Sequence, residues 1–395
     1  MIYDMNLNEK LTIKNRKDMK KILLVCASLA CTLYICAQDG VNGHVYKDKR
    51  SPKVWQRLVK TETDDFFLTA EAKRIGDNVL LYQCDNGGWP KNIYMPTELS
   101  REEKEALVKA KSNLNETTID NNATMTEMTY LARLYNATGD ERYREAVVKG
   151  VEYMLSAQYD NGGWPQFYPR NYGYYTHITY NDNAMENVLK VLYKVSRGEK
   201  PYTFFPDVTR SRAAEAVRKG VECILNTQYV QDGVPTVWCA QHDEHTLLPA
   251  KARAYELESL SGAESAGVVL FLMSLKERPS VRLVKAVDNA VKWFEGNKIT
   301  NLKREDFTDK EGRADYRMVE CAPSETPADT LWARFYTLED NRPYFCDRDG
   351  VRRYNISEIG HERRNHYGWY TKEPLKVLAR YAKWKKELKR KYGME

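Results

Sequence analysis

Gln158-Tyr-Asp-Asn-Gly-Gly-Trp-Pro-Gln-Phe-Tyr168 closes an amphipathic segment and opens a loop that runs to Thr179-Tyr-Asn-Asp-Asn-Ala184. A near copy stands upstream at Gln83-Cys-Asp-Asn-Gly-Gly-Trp-Pro90, and a decayed copy downstream at Gln228-Tyr-Val-Gln-Asp-Gly-Val-Pro235. Recurrence at similar intervals marks an internal repeat, in which each unit is one supersecondary element that cannot bury its apolar face alone.

The segments between the copies have helical periodicity. Thr124, Met128, Leu131 and Tyr135 fall on one face, Asn136-Ala-Thr-Gly-Asp140 breaks the run, and a partner helix starts near Glu141 with Val147, Val151 and Met154 as its stripe. A second pair opens at Asn181-Asp-Asn-Ala-Met-Glu186. Its partner spans 212–228, where Ala216-Val-Arg-Lys-Gly-Val-Glu222 copies Ala146-Val-Val-Lys-Gly-Val-Glu152. A third pair opens at Ser261-Gly-Ala-Glu264, with its partner from Ser280 to Trp293. A helix from about Thr63 toward Gln83 precedes them. Irregular chain follows Phe307, and a last basic helix from about Glu373 to Lys391 carries Leu375, Leu378, Tyr381 and Trp384. Helical hairpins bury their stripes by packing inner helices together. The expected fold is therefore all-α, an (α/α) toroid or barrel of about three hairpins with long irregular loops, in which the Asp-Asn helix starts gather on one rim.

Lys20-Lys21 followed by Ile22–Ile35 and then Cys36-Ala37 reads as a secretory signal over residues 1–37, with Met19 as an alternative start and Cys36 as an alternative lipidation site. The apolar run is too short for an ordinary membrane span. Residues 38–60 read as a polar lead-in and 61–395 as the toroid domain. The expected location is secreted or periplasmic, with an outer-membrane lipoprotein as the alternative, and the expected state is a monomer. The formal charge of +6 is mild and unpatterned, which gives no reason to expect a nucleic-acid partner. Cys84, Cys223, Cys239, Cys321 and Cys346 are scattered and have no metal spacing; they read as buried hydrophobes with at most one bridge, whose pairing the sequence leaves open.

Several groups carry chemistry. Asp120-Asn121 and Asp182-Asn183 read either as helix N-caps or as hard oxygen ligands suited to Ca²⁺, and the residues alone do not choose. Trp89 and Trp164 read mainly as packing groups that tie helix ends, with stacking on sugar rings as the functional alternative. His242 and His245 beside Asp243 and Glu244 raise zinc weakly, for want of a further histidine nearby. Arg334 and Arg348 lie among aromatics, where a planar guanidinium can hold carboxylates bidentately. No Gly-x-Ser-x-Gly, P-loop or dinucleotide-binding motif occurs.

From about Trp55 to Arg380 these motifs resemble the family 10 polysaccharide lyases, pectate lyases with an (α/α) toroid. The resemblance rests on Asn-Gly-Gly-Trp-Pro at 86–90 and 161–165, Thr118-Ile-Asp-Asn-Asn-Ala-Thr124, Thr179-Tyr-Asn-Asp-Asn-Ala184, Trp238-x-x-Gln-x-Asp243, Pro249-Ala-x-Ala-Arg-Ala-Tyr-Glu256, Arg334-Phe-Tyr and Asp347-Arg-Asp-Gly350. It implies Arg253 as the base that takes the C5 proton of galacturonate. It implies Asp182 as the main Ca²⁺ ligand with Asp120 and Asn121 beside it, and Arg334 and Arg348 as carboxylate binders. Arg170, Asp243 and Lys251 lie in matching loops. The implied partner is an acidic polysaccharide, polygalacturonate, and the implied substrate-binding set is Arg334, Arg348, Asn121, Trp164, Arg170 and Asp243. Two other readings compete: a toroid glycoside hydrolase using paired carboxylates, and a non-catalytic glycan-binding protein.

Overall fold

The computed structural model describes residues 51–321 and 329–394. The expected signal at 1–37, and the lead-in as far as residue 50, lie outside the described residues. From Pro52 onward the described residues form one unit. The lead-in does not extend to residue 60. Pro52–Thr61 is a helix, α1, whose Trp55 and Val59 are buried. The Trp55 indole donates to Glu127 Oε1 at 2.8 Å, and Gln56 donates to the Asn121 carbonyl at 2.6 Å. An indole and an aliphatic one turn apart give even this polar stretch an apolar edge to bury.

The expected helix from Thr63 is split. A 3₁₀ turn, Asp64–Leu68, leads into α2, Ala70–Tyr82, because the Thr69 hydroxyl caps the new helix at the Ala72 amide. A helix missing from the sequence reading, α3, spans Arg101–Ala110. It starts with a capping box in which Ser100 and Glu103 satisfy each other's backbone amides, the signature Ser-Arg-Glu-Glu having been present in the chain.

The three hairpins follow: α4 (Met125–Thr138) with α5 (Glu141–Ala157), α6 (Ala184–Ser196) with α7 (Asp207–Thr227), and α8 (Gly262–Leu272) with α9 (Val281–Gly296). Each helix packs on its partner. The first helices also pack in sequence, α4 on α6 and α6 on α8, as do the second helices, α5 on α7 and α7 on α9. The series begins with α2 on α4 and α5 and, beyond the short helix α10 (His361–Asn365), ends with α11, Pro374–Tyr392, on α8 and α9.

The repeated Gly-Gly-Trp turns join neighbouring hairpins. Gln83 donates to the Ala146 carbonyl of α5 at 2.8 Å, Gln158 to Ala216 of α7 at 2.9 Å, and Gln228 to Ala286 of α9 at 2.9 Å. Gly87 and Gly162 have φ of +91° and +92°, and a Cβ at either would come within 2.2 Å of a carbonyl oxygen of the next helix. Trp89 and Trp164 then lie against Gly150 and Gly220, the glycines of the repeated Val-x-Lys-Gly-Val and Val-Arg-Lys-Gly-Val runs. Their indoles donate to the Val79 and Met154 carbonyls at the ends of the preceding helices. The decayed third copy keeps the device with a displaced tryptophan, since Trp238 donates to Ile224 in the same way.

After α9 the chain is less irregular than its sequence suggests. Leu302–Thr308 pairs antiparallel with Ala314–Glu320, and short strands at 335–336, 343–346 and 352–353 form a three-stranded sheet. Tyr344, Phe345, Ile356, Ile359 and Trp369 make a separate aromatic cluster there. In α11 the buried positions are Pro374, Val377 and Leu388, while Leu375 is exposed. A strict three-residue step drifts off a 3.6-residue helix face, and the packed stripe corrects for it. The described cysteines are unbridged, and all but Cys321 are buried. No helix among the described residues is long and apolar enough to cross a membrane.

Candidate active site

Each tryptophan turn hands the chain to a rim turn through one backbone bond: the amides of Thr118, Thr179 and Ser261 donate to the carbonyls of Trp89, Trp164 and Trp238 at 3.0–3.2 Å. The first two rim turns are neither caps nor helical starts. Asn121 and Asn122 have φ of +52° and +61°, Asp182 and Asn183 +53° and +58°, and neither helix start has a side-chain cap. Asn and Asp tolerate this left-handed backbone. The shared conformation also corrects the register. Asn121 occupies the place of Asp182, and Asp120 that of Asn181, so the two Asp-Asn pairs are offset by one residue.

The two turns touch each other, and Asn187 of α6 donates to Asn122 at 2.6 Å. Burial pushes the Asp182 carboxyl above the usual range; Arg334 opposes this, while Glu264 and Asp120 add to it. Its tip stays reachable, with 46% of the side chain accessible. Asp120 is buried and bonded to Lys91 Nζ at 2.5 Å.

Arg334 lies beside this acidic corner. Its Nη2 donates to Asn181 Oδ1 at 2.9 Å and lies 3.5 Å from Glu264 and 3.9 Å from Asp182. Burial opposes its charge, but Glu264, the Tyr367 ring and Asp182 outweigh that and hold the guanidinium above its ordinary value. Arg334 lies over Tyr367 at 4.5 Å, and the Tyr367 hydroxyl donates to Glu256 at 3.0 Å. Glu256 in turn grips Arg253 by two bonds of 2.8 Å. Arg253 and Arg348 both lie over Tyr255, at 5.3 and 5.5 Å, with Arg363 at 4.6 Å. Arg348 is exposed and paired with Glu362 at 3.0 Å. The result is one array running from Asp120 and Asp182 through Arg334 and Tyr367 to Glu256, Arg253 and Arg348.

Three expected site residues stand apart from this array. Trp164 is fully buried with its indole bonded to a helix end, so it offers no face to a sugar and is a packing residue. Asp243 Oδ1 accepts from the His245 and Thr246 amides and the Thr246 hydroxyl, which anchors a turn away from the array. Arg170 is sandwiched by Phe167 and Tyr175 at 4.4 and 4.7 Å and bonded to Glu116 and the Asn115 carbonyl, which leaves 12% of its side chain accessible. The histidine pair also dissolves, since His242 is buried with its Nδ1 turned to the Leu247 carbonyl, while His245 is exposed.

Sequence reading missed Lys91, Asn181, Glu264 and Tyr367, and it quoted Glu256 without giving it a role. One signal was available. Glu127, Glu186 and Glu264 are each the third residue of α4, α6 and α8, and all three are buried. Trp55 binds the first and Arg334 approaches the third, whereas Glu186 has no hydrogen-bond partner and burial raises its carboxyl well above the usual range.

The pectic acid lyase family model matches residues 83–378. The chain belongs to the pectic acid lyase family. Two solved structures of the family 10 polysaccharide lyase from Cellvibrio cellulosa are similar to it, both at 36% identity and a TM-score of 0.69. One is a point mutant in complex with trigalacturonic acid, with 84% of this chain and 96% of that chain covered; the other is matched over 85% and 96%. No curated protein matches the chain. The lyase thus carries its polar array beside the helix starts of a helical scaffold shared with these structures.

Proposed function

We propose that the lyase cleaves α-1,4-linked polygalacturonate by β-elimination, giving 4,5-unsaturated oligogalacturonides, and that its consecutive hairpins close into an (α/α) toroid. It would act as a secreted or periplasmic monomer. The observation that supports the reading is the unbroken array from Asp182 through Arg334, Tyr367 and Glu256 to Arg253, in which carboxylate binders, a cation corner and a base would lie side by side. The relative solved with trigalacturonic acid supports the substrate class.

Abstraction of the C5 proton is difficult because negative charge builds on a group that is already anionic. The corner residues suit a hard divalent cation: Asp182, Asn121 and Asp120 offer oxygen donors, and burial, with Glu264 and Asp120 nearby, already raises the Asp182 carboxyl, which a cation would relieve. Bound there, Ca²⁺ would neutralise part of the charge developing on the substrate carboxylate. Arg334 and Arg348 would orient carboxylates along the polymer, exchanging their present acidic partners for uronates. Arg253 would take the C5 proton as the C4–O bond breaks and the C4–C5 double bond forms, with water returning a proton to the leaving oxygen.

Arginine is a poor base unless its neutral form is reached. Burial lowers its proton affinity, but the two bonds from Glu256 outweigh that and hold Arg253 above its ordinary value in the resting site. Turnover is therefore expected to climb into the alkaline range. The test is absorbance of the conjugated product during incubation with polygalacturonate, with a chelator and with Ca²⁺ restored. Cleavage without new absorbance would make the enzyme a hydrolase. Binding without cleavage would make it a glycan-binding protein.

A further inference from the structure

The zinc reading of His242 and His245 fails on His242, but the fold supplies the histidine that the sequence could not bring near. Ile178 pairs with His242 and Thr179 with Gln241, so His177 and Asp243 sit one residue beyond the paired positions of two antiparallel strands. One ligand atom each from His177, Asp243 and Glu244 falls within 4.8 Å of the others. Glu244 lies between two imidazoles: His177 Nδ1 is 3.0 Å from Oε2, and His245 Nε2 is 3.9 Å from Oε1. The Asp243 turn is fixed by three donors on Oδ1, and Asn161 holds the Glu244 backbone carbonyl at 2.7 Å. His177 and Glu244 are largely shielded, with 20% and 15% of their side chains accessible.

We propose that His177, Asp243, Glu244 and His245 form a second metal site, selective for a zinc-like transition ion rather than Ca²⁺. Two imidazoles with two carboxylates suit Zn²⁺, whereas a Ca²⁺ site is built from oxygen alone. The other His-containing acidic cluster among the described residues, Asp309, Asp315 and His361, is a poorer candidate, because Arg313 and Arg364 already neutralise its carboxylates at 2.7 and 2.6 Å. The metal would pin the 243–249 loop to the strand at 178–179. That loop returns through the His242–Pro249 bridge into the segment that carries Arg253, so the ion would brace the loop presenting the base without touching substrate.

The inference does not depend on the pectate reading, and its readout is binding rather than activity. The full-length protein, stripped of metal and held in saturating Ca²⁺, is titrated with Zn²⁺ by calorimetry and with Co²⁺ by visible absorption. The expected result is one Zn²⁺ per chain and the intense absorption of low-coordinate Co²⁺. Both are lost in His177→Ala and in the near-isosteric Glu244→Gln, weakened at least several-fold in His245→Ala, and kept in His361→Ala. Circular dichroism checks that each variant is folded. An absence of saturable Zn²⁺ binding by the wild type would overturn the proposal, as would binding unchanged by both His177→Ala and Glu244→Gln.

Discussion

Arg253 and Glu256 are the pair on which the proposed turnover would depend. Glu256 stabilises the charged guanidinium, and Arg253 holds the Glu256 carboxyl below the usual range although burial alone would raise it. Removing the carboxylate charge should lower the Arg253 pKa. Glu256→Gln is therefore expected to move the alkaline limb of the rate–pH profile to lower pH, with a lower maximal rate because the guanidinium is held less firmly. An unmoved limb would show that Glu256 does not tune the base. Arg253→Ala should reduce kcat by about 10²–10⁴-fold, the usual contribution of a positioned base, with binding of trigalacturonic acid largely kept. Retention of full cleavage would remove Arg253 from the mechanism. On the acid side, Asp182 must be ionised to hold a cation. Because its carboxyl is raised, Ca²⁺ affinity should fall away at a higher pH than for an ordinary carboxylate, which calorimetry at several pH values would read.

The Gly-Gly-Trp turn is the element that makes the rim. Gln158 binds the Gly162 and Ala216 carbonyls, and because Ala216 is inside α7 and also accepts within its helix, Gln158→Ala leaves mainly the sheltered Gly162 carbonyl unmet and should cost about 1–3 kcal/mol. Gly162→Ala adds a Cβ 2.1 Å from the Lys219 carbonyl at a φ of +92°, and the backbone strain alone is worth about 1–3 kcal/mol. Trp164→Phe distinguishes packing from sugar stacking. Loss of the bond to Met154 should lower Tm, while KM for polygalacturonate stays put; a raised KM at unchanged Tm would restore the stacking reading. The repeat was legible because Gln, Gly-Gly and Trp recur at fixed offsets, and so were the hairpins, whose apolar positions follow the 3.6-residue period. The left-handed rim turns were not. Asp-Asn before an apolar run has the same residues whether it caps a helix or turns through positive φ, and only the long-range bonds from Thr118 and Thr179 to the tryptophan carbonyls decide between them. Tyr367 was invisible for a related reason: it meets Arg334 and Glu256 through the folding back of the chain after the aromatic cluster, and no local pattern marks it.

At the scale of the whole molecule the formal charge of +6 is too small to draw in a polyanion by itself, and the attraction must come from local geometry. Arg253, Arg334, Arg348 and Arg363 gather around Tyr255 and Tyr367, while their acidic partners Glu256, Glu264 and Glu362 are spread among them. A polyuronate docking at the array would meet positive charge concentrated there rather than spread over the molecule. Screening therefore acts unequally on the residues. Arg334 is shielded by the fold, with 17% of its side chain accessible, and should feel added salt little, while Arg348, with 62% accessible, should feel it strongly. Raising NaCl from about 50 to 500 mM, which shortens the Debye length from over 10 Å to under 5 Å, should raise KM for polygalacturonate several-fold with kcat nearly constant. In Arg348→Gln the KM should start higher and depend less on salt, because the most exposed contributor is gone. If wild type and variant had parallel salt dependences, the capture of substrate would have to be assigned to the shielded arginines instead.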